Sequence, residues 1–157
     1  EFRKRAENHF RRALSLDPDS VEARLRLGRV LLVGGRIEEA ETELGTALKI
    51  APDARTRHLA LLFLGEAAEQ TQRLEAASDF YRRAVEVKPD CQAARVAFGY
   101  VSERLGHLDR ARAEAAWFLK RTQSWGVQAD DWVGYPRGEY QKGIDGLARL
   151  RASVAQR

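Results

Sequence analysis

LGRVLLVGGRIEEAETELGTALKIAP, residues 27–52, carries a spacing that the chain repeats. Ala40 stands twelve residues after Gly28, Leu44 four further, Ala47 three further, and Pro52 five beyond that. Gly65, Ala77, Tyr81, Ala84 and Pro89 fall on the same marks; Gly99, Ala111, Ala115 and Phe118 follow them without the proline. Upstream, Ala6, Phe10, Ala13 and Pro18 supply the second half alone. A period of this length marks stacked supersecondary units, each burying one face against its neighbour.

Within each unit the apolar residues fall at helical spacing. Lys4 to Leu16 reads as a helix stopped by Asp17-Pro18-Asp19, since proline lacks the amide donor and disfavours helix before it. Asp19 or Ser20 caps the next helix, to about Val33, where Gly34-Gly35 provides a left-handed exit. Ile37 to Ile50 is its antiparallel mate. Helices are expected next over Arg57–Thr71 and Glu75–Val87, then over Cys91–Leu105 and Asp109–Arg121. The turns Gly-Arg-Ile-Glu-Glu-Ala (35–40), Gln-Arg-Leu-Glu-Ala-Ala (72–77) and Gly-His-Leu-Asp-Arg-Ala (106–111) follow one plan. An apolar residue and an acid open the helix, then a small Ala lets two helices approach.

These residues resemble the tetratricopeptide repeat, a helix–turn–helix of about 34 residues with small residues at fixed steps. The resemblance covers residues 3–121 and implies an all-α fold: a right-handed α-solenoid of antiparallel helix hairpins forming one domain. Its parts are a half repeat at 3–20, a repeat at 21–54, a repeat with a three-residue insertion at 55–91, and a repeat at 92–121. An aromatic loop (122–138) and a C-terminal capping helix (139–157) complete the expected domain. Arg24 and Arg95 depart from the pattern, because a large packing residue usually stands four before the glycine, as Leu61 does. Phe118 stands where Ala is expected.

In this family the first helix of each repeat lines a concave groove. Carried over by register, the resemblance implies that Leu25, Leu62 and Val96 face it, with Arg29, Glu66 and Tyr100, and with Leu32, Glu69 and Glu103. Leu25, Leu62 and Val96 replace the basic and amide residues with which chaperone-binding members grip a peptide carboxylate, so that clamp is not expected. The implied function is a non-enzymatic scaffold for a peptide or partner protein. A self-association module working through the exposed N-terminal helix, giving a homo-oligomer, and a regulatory domain of a larger protein are the alternatives. Trp125, Trp132 and Tyr135 could form an aromatic docking patch in place of a cap.

Composition narrows the chemistry. The 157 residues are 44% hydrophobic and 32% charged, with a net charge of +4, as suits a soluble helical protein. No apolar run approaches the roughly 20 residues of a membrane helix. Basic residues cluster in Arg3, Lys4, Arg5, Arg11 and Arg12, but no aromatic platform is interleaved with them, which disfavours nucleic acid. Cys91 is the one cysteine, so no internal disulfide and no cysteine-based metal site is expected. His9, His58 and His107 fall at non-equivalent steps, as exposed or turn histidines rather than a shared metal site. No catalytic constellation, cofactor motif or metal site is expected. With no Met, the chain reads as part of a longer protein, either cytoplasmic or, if an upstream signal has been removed, periplasmic.

Overall fold

Three turns of identical construction set the architecture. Arg36 N–H bonds Leu31 O at 3.0 Å while Gly35 N–H bonds Leu32 O at 3.0 Å. Arg73 and Gln72 repeat this on Ala68 and Glu69, as His107 and Gly106 do on Ser102 and Glu103. This six-to-one and five-to-two pairing satisfies the last carbonyls of a helix and needs one left-handed residue. Gly35 and Gly106 fill that position with φ of 76° and 77°, and Gln72 adopts φ of 60°.

The computed structural model describes residues 2–122, in which seven helices and no strand occur. They are α1 (Phe2–Leu16), α2 (Val21–Val33), α3 (Ile37–Ile50), α4 (Ala54–Gln70), α5 (Leu74–Val87), α6 (Gln92–Arg104) and α7 (Leu108–Thr122). Contacts divide the chain into two compact units, Glu1–Lys88 and Pro89–Arg157. The expected aromatic loop and capping helix lie outside the described residues.

Helix starts are set by caps. Ser20 Oγ accepts from Ala23 N–H at the head of α2, and Asp53 accepts from Thr56 N–H at 2.8 Å at the head of α4. That second cap explains the one notable shift in boundaries. The three extra residues of this repeat do not extend the turn after Pro52; they form the first turn of α4, which runs 17 residues against 13 in α2.

In the first unit each helix packs on the next in sequence, and α2 also touches α4. The ruler positions are where helices meet. Ala40, Leu44, Ala47, Ala77 and Ala84 are fully buried, and Tyr81 nearly so. A Cβ on Gly28 would stand 2.6 Å from Leu44 Cγ, and one on Gly65 would stand 2.6 Å from Tyr81 Cδ1, so both crossings require glycine. Ion pairs join α1, α3 and α5 along their N-terminal ends. Arg36 pairs with Glu7 at 2.7 Å, and one repeat later Arg73 pairs with Glu41. The Arg36 guanidinium, with help from Arg11, holds the carboxyls of Glu7 and Glu39 below the usual range. In the second unit α6 packs against α7, with Ala111 and Ala115 buried.

Candidate functional site

The residues expected to face the groove separate into two sets in the first unit. Leu25, Leu32 and Leu62 belong to the packed interior, exposed by only 0%, 1% and 5%. Their transfer from water stabilises the helix layer, at roughly 1.5–3 kcal/mol for each fully buried leucine, and little of their surface is left for a ligand. The polar residues one step from each glycine meet one another instead. Arg29 Nη1 donates to both carboxylate oxygens of Glu66 at 2.7 Å, bridging α2 and α4. Its side chain is 7% exposed and that of Glu66 16%.

A pair this sheltered is held by geometry rather than by net Coulombic gain, because desolvation cancels much of the attraction. Further contacts fix it. The Arg29 guanidinium lies 5.2 Å from the Phe63 ring centroid, within cation–π range. Gln70 Nε2 donates to Glu66 Oε1 at 3.3 Å. One turn along α4, the Tyr81 hydroxyl donates to Glu69 Oε2 at 3.0 Å. The face of α2 and α4 thus presents Glu66 and Glu69 in fixed orientations, with Arg29 beneath, and the three carry one net negative charge.

In the second unit Val96, Tyr100 and Glu103 lie on α6 and are each half-buried. Arg104 stands 5.7 Å from the Tyr100 ring centroid. Trp125, Trp132 and Tyr135 lie outside the described residues.

His58 is not an exposed or turn histidine. It is buried in α4, with Nδ1 3.0 Å from Ala84 O on α5, so it ties that helix pair together. Nothing in its spacing distinguishes it, since only the packing of α4 on α5 turns that face inward. His9 and His107 are exposed. Cys91, just before α6, is buried. Among the described residues no cluster of His, Cys, Asp or Glu is arranged to hold a metal ion, and no helix is long and apolar enough to cross a membrane.

The two arginines that break the small-and-large pattern have a common explanation. Arg24 Nη1 donates to Glu43 at 2.8 Å while Nη2 donates to Pro18 O at 2.7 Å. Arg95, two repeats later, meets the equivalent partners, with Nη1 donating to Glu114 at 2.6 Å and Nε to Pro89 O at 2.7 Å. Both pairs span nineteen residues in sequence. In the intervening repeat the same two positions are Leu61 and Phe80. Where the ion pair is absent both positions are apolar, and the matched nineteen-residue spacing is the signal that could have revealed the pairing.

Helix hairpins with glycine crossings, alanine contacts and a closing proline define an α-helical repeat scaffold. The family model described as "Tetratricopeptide repeat" matches residues 3–62, and a second model of the same description matches residues 59–91. Together they span 3–91, more than half of the chain, and the chain belongs to the tetratricopeptide repeat family. Among solved structures, "Crystal structure of MamA" matches at a TM-score of 0.66 and 18% identity, covering 95% of this chain and 77% of that one. "Crystal structure of YrrB: a TPR protein with an unusual peptide-binding site" matches at 0.62 and 21%, covering 99% and 71%. At these identities the likeness establishes the all-α solenoid fold. No curated protein matches the chain. Repeats of this family are typically protein–protein interaction scaffolds, and that is the general function the family supports for this chain.

Proposed function

We propose that the chain binds a basic, extended or helical peptide segment of a partner protein along the first helices of its repeats, without catalysis. The observation that carries this is the fixed arrangement of Glu66 and Glu69 on α4, one clamped by Arg29 and the other by Tyr81. Carboxylates already oriented by the protein lose little entropy on meeting a lysine, an arginine or a row of peptide amides. With Leu25, Leu32 and Leu62 consumed by packing, recognition falls to this acidic layer. Tyr100 and Glu103 occupy the same register on α6 in the second unit. A peptide carboxylate is disfavoured there, since Arg29 is the one basic residue at these register positions and its charge is answered by Glu66. The resemblance to a peptide-binding repeat protein agrees with this reading.

Panning a random peptide library displayed on phage against the chain tests it. Enriched peptides should carry excess Lys and Arg, and should lose capture on Glu69→Lys while circular dichroism is unchanged. Enrichment of acidic peptides, or capture indifferent to Glu69→Lys, would overturn the reading.

A further inference from the structure

We infer, resting on the recognition of a basic peptide just proposed, that the peptide is read through one cationic side chain seated on Glu69. Arg29 and Glu66 then form a neutral brace that turns a second cation away. The two register positions on α2 and α4 differ in how their charges are answered. One residue after the glycines stand Arg29 and Glu66, which pair with each other. Four residues after them stand Leu32 and Glu69, of which only Glu69 is ionised.

Glu66 is already engaged as an acceptor. Arg29 Nη1 donates to both of its oxygens at 2.7 Å, and Gln70 Nε2 adds a bond to Oε1 at 3.3 Å. A second cation brought to Glu66 would also meet the Arg29 guanidinium, in a sheltered setting where water screens like charges poorly. Arg29 has no easy retreat: it lies 5.2 Å from the Phe63 ring centroid, and withdrawal would leave Glu66 without its cation. Glu69 is held differently. The Tyr81 hydroxyl donates to it at 3.0 Å, and a neutral donor orients a carboxylate without cancelling its charge. Tyr81 is itself pinned by its packing against Gly65, so that orientation is set by the helix crossing.

The surroundings select against a polybasic ligand as well. Helix α2 holds Arg24, Arg26 and Arg29 against Glu22, and the whole chain carries a net charge of +4. A segment lying across α2 and α4 with several cations would set like charges against α2, and such juxtaposition suppresses wrong partners. The ligand class is therefore a peptide segment with one Lys or Arg over α4, flanked by neutral residues.

The test is isothermal titration of the full chain with a phage-selected peptide and a synthetic variant of it. That variant carries a second arginine three residues from the first cation, matching the spacing of Glu66 and Glu69, and its Kd should stay within about twofold of the original. Glu69→Gln should weaken binding of the original peptide about tenfold or more. The double variant Arg29→Gln with Glu66→Gln replaces the brace by a neutral hydrogen-bonding pair and should bind within about threefold of the parent chain. In Arg29→Gln alone, which releases Glu66, the second arginine should tighten binding about tenfold. A second arginine that tightens binding to the parent chain as much, or a double variant that loses as much affinity as Glu69→Gln, would overturn the inference and leave recognition of basic peptides standing. So would selected peptides that carry two or more cations at a fixed spacing. Indifference to Glu69→Gln would remove both.

Discussion

The ring of Tyr81 occupies the space a side chain on Gly65 would need, with Cδ1 2.6 Å from the position of the missing Cβ. Tyr81 is 3% exposed and its hydroxyl holds Glu69, so it cannot swing away without breaking the acidic layer. Gly65→Ala is therefore expected to destabilise the chain by about 1–3 kcal/mol through overpacking. Gly45, also helical, has nothing within 4 Å of its would-be Cβ. Gly45→Ala should instead stabilise by roughly 0.5–1 kcal/mol, the helix-interior difference between the two residues. Urea melts of the two variants should move in opposite directions.

The exchange of an ion pair for an apolar pair between repeats predicts strong coupling. Arg24→Leu or Glu43→Phe alone should each cost about 1–3 kcal/mol, because each strands a partner that is four-fifths buried. Together they reproduce the Leu61 and Phe80 combination, and the double variant should fall within about 1 kcal/mol of the parent. Additive losses in a double-mutant cycle would show that the two positions do not act as a unit.

Acid should loosen the first helix. Hydrogen bonds from Arg36 lower the Glu7 and Glu39 pKa values in the folded chain. Their stabilising effect is thus fully present above the unfolded carboxyl range near 4.5 and is lost as pH falls through the lower folded values. Thermal melts should be level above about pH 5 and decline below about pH 4. Glu7→Gln should flatten that decline. An unchanged acid limb in Glu7→Gln would remove this pair as its source.

Gln72 takes the left-handed conformation that Gly35 and Gly106 fill in the equivalent turns. Gln72→Gly should relieve backbone strain and stabilise by about 0.5–1 kcal/mol, reduced by the greater freedom of glycine in the unfolded chain. A scanning-calorimetry comparison decides the sign.

Much of this fold is legible in the sequence because steric necessity leaves a mark. Gly28 and Gly65 are the only residues that fit beneath Leu44 and Tyr81, and Pro52 and Pro89 stop helices wherever they stand. Side-chain pairing leaves a fainter one. Arg24 and Arg95 look like errors in the pattern until Glu43 and Glu114 are found nineteen residues on. For the groove, register identifies the helix face but not the depth of each residue on it. Leu25 and Arg29 share a face, yet one is consumed by packing and the other reaches Glu66 across a helix pair, a contact no local spacing encodes. That the three inserted residues are helical was not legible for a similar reason, since Asp53 can end a turn or cap a helix equally well.

The proposed recognition surface lies on the first helices of the first unit, α2 and α4. Amide hydrogen exchange with and without a library-selected basic peptide tests it most directly. Added protection is expected in α2 and α4, centred near Glu66 and Glu69, with α3 and α5 unchanged. Protection confined to α3 and α5, or abolished by substitutions there but not by Glu69→Lys, would contradict it.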